Sequence, residues 1–185
     1  MQSVSLISLW LPIALSAVVV FFASAAVWMV IKWHDSDWSK LPDEDAMRSA
    51  LSGTPPGDYT VPHAMNNEAR ASEGWQAKCK AGPNAMLTVL PAGLPEMGRQ
   101  LGQWFVYCLV VSLFVAYVLH AAVPAGAYYL KVFQVGGATA FLAYAGGAVP
   151  RSIWFGHGWG RTAKDVADGL LYGLLTAGVF GWLWP

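Results

Sequence analysis

From Val4 to Ile31 the sequence carries no charged residue, and stretches beginning near Gln103 and Ala127 are almost as free of charge. Such runs constrain the fold more than any motif, because about 20 consecutive apolar residues match the hydrocarbon thickness of a bilayer. Only 12% of the 185 residues are charged, against about 25% in a typical soluble domain. Those charges crowd into residues 32–99 and 151–168. The pattern reads as membrane helices joined by solvated segments.

The expected fold class is all-α membrane, with four transmembrane helices and a small cytoplasmic α+β insert between helices 1 and 2. A first transmembrane helix occupies residues 1–33, the insert 34–99 and a three-helix bundle 100–185. Span one runs from Val4 to Trp33, with Pro12 near its start. Ala23-Ser24-Ala25 resembles a signal-peptidase site. However, no Lys or Arg precedes the run and it is about twice a normal signal h-region, so it reads as a retained anchor. Span two is Gln103–Val123, followed by a Pro124-Ala125-Gly126 turn. Span three covers residues 127–149, where Pro150 should stop it. A short loop, 150–161, leads to span four, 162–184, with Thr162 as N-cap and Asp165 at N3. Lys164, one helical turn before Asp168, is that carboxylate's expected partner.

Charge sets the orientation. Lys32, Lys40, Arg48, Arg70, Lys78, Lys80 and Arg99 lie in or beside the insert, while Arg151, Arg161 and Lys164 lie in or beside the later loop. In a four-span topology both regions share one side, leaving Lys131 alone opposite. The positive-inside rule makes the basic side cytoplasmic and puts both termini outside. Zero net charge gives no reason to expect a nucleic-acid partner.

Within the insert, Leu41 to Leu51 reads as a short helix, with Pro42 early, acids in the first turn and Gly53 beyond its end. Tyr59-Thr60-Val61 and Ala85–Leu90 are β-like runs able to pair. Asn66–Lys80 between them reads as a polar helix ended by Gly82-Pro83. So small and polar an insert is marginal alone. Cys79 and Cys108, one in the insert and one in span two, are expected as free thiols.

Chemistry is sparsely signalled. The sequence has no GxSxG elbow, HExxH pair or Walker loop. The best metal candidate is His34 and Asp37 with His63 and His157, possible by ligand type but at no established spacing. Inward-facing histidines for haem are lacking, and no other cofactor is expected. Gln134, Ser112, Thr139 and Thr176, the polar residues well inside spans two to four, are not ionisable, and Asp168 lies within about a turn of the cytoplasmic boundary, which argues against an ion path. Apolar grooves between helices would accept lipid, quinone or pigment alike. Gly169, Gly173, Ala177 and Gly181 recur every fourth residue in span four. They form a flat stripe for close helix packing, within the subunit or against another.

The runs LPDEDAMRSAL and PPGDYTVPH, with the ending DGLLYGLLTAGVFGWLWP, resemble small uncharacterised multi-pass membrane proteins of bacteria. The resemblance implies a bacterial inner (plasma) membrane setting and transfers no site and no reaction. The expected role is a non-enzymatic structural or accessory subunit, associating with other membrane subunits or with itself. A metal-binding membrane protein or enzyme is the alternative, and a small transporter or channel the third reading.

Overall fold

The structure, a computed structural model, describes residues 4–185 and is mostly helical. It divides into two compact units, residues 4–39 with 96–185, and residues 40–95. The second unit is therefore narrower at both ends than residues 34–99.

The first unit begins with a 3-10 turn, Leu6–Leu9, that runs into helix α1, Trp10–Ala26. Pro12 sits in the first turn of α1, where a missing N–H costs no hydrogen bond. A π-helical turn, Val27–Ile31, extends the rod, and Lys32 ends it with φ 56 and ψ 24. That left-handed residue donates its N–H to Val27 O and turns the chain into a second 3-10 turn, Trp33–Asp37.

The second unit is described by itself. Asp43 caps α2, Glu44–Ala50, by accepting from Ala46 N. Strand β1, Gly57–Val61, pairs antiparallel with β2, Ala85–Val89, with Tyr59 opposite Leu87. Between them the expected single helix is two, α3 Asn67–Ala71 and α4 Glu73–Ala81. Ser72 makes the break, because its extended backbone ends α3 while its hydroxyl accepts from Trp75 N to start α4. Among the described residues, none from Lys40 to Pro95 is buried.

Back in the first unit, α5 spans Met97–Ala122, and α6, Tyr129–Ala145, follows a turn in which Gly126 has φ 70. Regular α-helix is interrupted at Gly146-Gly147, both still right-handed, and resumes as α7, Ala148–Phe155. Pro150 does not stop the third span. It occupies the first turn of α7, where proline is tolerated. A Cβ at Gly146 would meet the Leu142 carbonyl oxygen at 2.5 Å, so a larger residue there would have to shift the backbone. The expected loop 150–161 shrinks to Gly156-His157-Gly158, because α8 starts at Trp159 and runs to Trp182. Thr162 is therefore inside α8 rather than its cap, and its hydroxyl bonds that of Ser152 instead.

Among the described residues, three helical rods are long and apolar enough to cross a membrane: Leu6–Ile31, Met97–Ala122 and Tyr129–Phe155, with mean hydropathies of 2.4, 2.2 and 1.3. This is the pattern of a multi-pass membrane protein. The large side chains that face away from the bundle fit it, since Phe22, Phe114 and Leu142 are all exposed.

The small-residue stripe of α8 faces α6. A Cβ at Gly169 would lie 2.7 Å from Ala145 Cβ, one at Gly173 would lie 3.1 Å from Phe141 N, and one at Gly137 would lie 3.1 Å from Ala177 Cβ. At Gly181 the space is filled by the Tyr129 ring. The stripe brings two backbones together within one chain.

Two buried clusters divide the bundle lengthwise. Leu9, Val115, Leu119, Val132 and Phe180 form one, and Ala17, Val20, Cys108 and Tyr172 the other. The first lies toward the end where Gly126 N donates to Pro185 O, Trp184 Nε1 donates to Pro124 O, and His120 meets Val4 O.

Candidate functional site: a buried His–Asp pair beside an interhelical cavity

The opposite end of the bundle holds the ionic groups. The turn after Lys32 folds His34 back against α8, where the ring is 2% exposed. Its Nε2 lies 3.0 Å from Asp168 Oδ2, and its Nδ1 lies 2.7 Å from Asp37 Oδ2. The Trp28 ring, on the π-helical turn, stacks on the imidazole at 4.2 Å and 6°. The wider π turn thus belongs to the geometry that seats His34, and such turns often occur at functional positions.

Lys164, the expected partner of Asp168, is used elsewhere. Its ammonium donates to Trp33 O at 2.7 Å, Ser36 Oγ at 2.7 Å and Asp37 Oδ1 at 2.6 Å. An ammonium has three protons, and all three are spent on the turn. That contact, with His34 beside it, holds the Asp37 carboxyl below its ordinary pKa against the opposing effect of burial. Arg161 adds a second tie, with its guanidinium 4.8 Å above the Trp38 ring.

Asp168 is left half satisfied. Oδ2 faces His34 and is 3.5 Å from the Tyr172 hydroxyl, at the limit of hydrogen bonding. Oδ1 is buried and has no hydrogen-bond partner among the described residues. The Tyr144 hydroxyl is buried in the same condition.

Both residues line a cavity of about 810 Å³ between α1, α5, the α6–α7 rod and α8. Its walls carry the aromatic rings of Phe21, Trp28, Trp104, Tyr107 and Tyr172 together with apolar Met29 and Leu101. Arg151, Arg161 and Asp165 also reach it. Trp104 is fixed by donating to Ser24 Oγ at 2.8 Å, and Tyr107 by donating to Ala143 O at 2.8 Å. The volume falls within the range of small-molecule sites, and a few polar groups in aromatic walls are their usual composition.

Of the four residues considered as metal ligands, the structure brings His34 and Asp37 together. His63 lies in the second unit, 3.2 Å from Thr60 Oγ1, and His157 sits on the turn between α7 and α8. Among the described residues, no group of three or more His, Cys, Asp or Glu is placed to hold a metal. Both nitrogens of His34 face carboxylate oxygens, so the ring has no lone pair directed at a further partner. Asp168 and Lys164 are the site residues that sequence reasoning misassigned. The usable signal was level along the bundle, since the end of the first rod lies beside the start of α8, which sets 34–37 level with 164–168.

No protein-family model matches the chain, and neither a curated protein nor a solved structure does.

Proposed function

We propose that the chain is a four-span protein of a bacterial inner membrane, with both termini outside and residues 34–99 and 150–161 cytoplasmic. It serves, without catalysis of its own, as an accessory subunit that holds a small amphiphile in the cavity beside Asp168. The observation that carries this reading is the buried, partnerless Asp168 Oδ1 in an aromatic cavity among apolar helices. A buried carboxylate oxygen without a partner costs folding energy, and a bound donor removes the cost.

Counting α8 as a fourth span is supported by its reach. It begins beside Trp33 through Lys164 and ends beside Pro124 through Trp184. Its 24 residues give about 36 Å at 1.5 Å per residue, enough for a hydrocarbon core of about 30 Å. It is less apolar than the three rods because its glycines and Asp168 face protein rather than lipid. A helix lined by neighbours tolerates that. Self-association would use another surface, since α6 covers the small-residue stripe.

The test is the particle extracted in mild detergent from its own membrane, weighed intact with every component identified. The expected particle contains other membrane proteins and a retained amphiphile. A particle of this chain alone with nothing bound would overturn the reading. Topology has its own test in the free Cys79. An impermeant maleimide should label it in inverted vesicles, and labelling in right-side-out vesicles instead would reverse the orientation.

A further inference from the structure

Resting on the reading of the cavity as a ligand site, we infer that its occupant is a hydroxyl-bearing aromatic with an apolar tail. This is the chemical class of the hydroquinones, bound with its hydroxyl donating to Asp168 Oδ1.

Three observations carry it. The first is the polarity of the vacant bond. In the ionised carboxylate Oδ1 only accepts, so a ligand that meets this form presents a donor. A carbonyl or ether oxygen at that place would set acceptor against acceptor. Tyr144, on the wall of the same cavity, carries a hydroxyl that can donate or accept and supplies a second polar group. The second is the wall. Trp104 packs with Tyr107 and Tyr144 at ring separations of 5.5 and 6.3 Å, and Tyr144 with Tyr172 at 5.5 Å. Such a cluster offers faces and edges to a flat ring, while Phe21, Met29 and Leu101 offer an apolar path for a tail.

The third is what stands behind Asp168. A continuous hydrogen-bonded row runs from Oδ2 to His34 Nε2 at 3.0 Å, from His34 Nδ1 to Asp37 Oδ2 at 2.7 Å, and from Asp37 Oδ1 to Lys164 Nζ at 2.6 Å. Lys164 is 23% exposed, so the row ends in contact with solvent. The same row holds the Asp168 carboxyl in place, with Oδ2 engaged by His34 and Oδ1 left facing the cavity. A phosphate headgroup would find Arg151 and Arg161 but would also bring its negative oxygens near Asp165 and Asp168.

The experiment is calorimetric titration of the full chain in detergent with three probes of equal ring and tail: 2-decylhydroquinone, its dimethyl ether and 2-decylbenzoquinone. The hydroquinone should bind about tenfold or more tightly than either of the others, the discrimination of one hydrogen bond to a charged acceptor. Asp168→Asn should erase most of that preference. The comparison of probes on the unaltered protein stands even if the variant misfolds. Equal binding of all three would overturn the inference and leave the amphiphile reading intact. Binding of dioleoyl phosphatidylethanolamine with none of the hydroquinone would also overturn it, in favour of a lipid amine as donor. Failure of every probe and lipid to bind would remove both readings.

Discussion

His34 Nε2 stands 3.0 Å from Asp168 Oδ2 across 134 residues of sequence, and through that contact the exit of the first span is clasped to the start of α8. Both side chains are buried, so removing one strands the other. His34→Ala should cost about 3 kcal/mol, the usual result of leaving one member of a buried pair uncompensated. The double variant His34→Ala/Asp168→Leu should recover part of the loss, because the stranded carboxylate goes with its partner. Thermal unfolding in one detergent compares the two. A double variant less stable than His34→Ala would show that the stranded charge is not the cost.

The close approach of α6 and α8 makes a graded prediction. At Gly169 an added Cβ meets Ala145 Cβ at 2.7 Å and its backbone N at 3.0 Å, so Gly169→Ala must push the helices apart. A loss of about 1–3 kcal/mol is expected, as for other overpacked interiors. Gly102→Ala in α5, with nothing within 4 Å, should be neutral or stabilising through helix propensity, by about 1 kcal/mol at most. Equal effects at the two positions would mean that the observed packing is not what the protein uses.

Acid should weaken the clasp. The native Asp37 carboxyl has its pKa lowered by the Lys164 ammonium, whereas the unfolded chain takes up that proton near the ordinary aspartate value of about 3.9. A depressed native pKa stabilises fully above the unfolded value, and the contribution is lost as pH falls through the native one. The stability gap between wild type and Asp37→Asn should therefore hold from pH 6 to about pH 5 and shrink below about pH 4. A gap that stays constant to pH 2.5 would remove Asp37 from the ionic clasp.

Lys32 carries a left-handed backbone, φ 56, that L side chains adopt at a cost of about 1 kcal/mol or more. Lys32→Gly should raise stability by about 0.5–1 kcal/mol and Lys32→Val should lower it. If both variants unfold alike, the turn after the first span is not held in this conformation.

Residues 40–95 should not fold when excised. With none of their residues buried, the short hairpin and three short helices have no dry core to offset chain entropy. Circular dichroism of that fragment should show a largely unfolded chain, and a cooperative thermal transition would contradict this.

Local signals in the sequence were sound where one residue decides a conformation. Asp43 with its following acids, the β-like runs at Tyr59 and Ala85, and the apolar rods were all legible. Thr162 and Pro150 misled for a shared reason. A capping residue and a helix breaker take their meaning from the glycines before them: the chain turns at Gly156, φ 70, ahead of α8, and the interruption at Gly146-Gly147 places Pro150 in a first turn. Lys164 beside Asp168 misled because two partners were possible, and spacing along one helix outweighed a residue on another. No local rule could supply the left-handed turn at Lys32, which carries His34 back onto α8. The cavity was not legible at all, since it is a space between helices rather than a property of any one.

That space has the junction of two helical segments in its wall. Ala143 and Tyr144 line the cavity from before the interruption at Gly146-Gly147, and Ala148 and Arg151 line it from beyond. Both segments of the third rod therefore shape the cavity, and the junction between them is built from two glycines, the first with no room for a Cβ beside Leu142 O. A wall made from two helical segments and the residues that join them ties the size of the chamber to how the third rod is built, not to any single side chain.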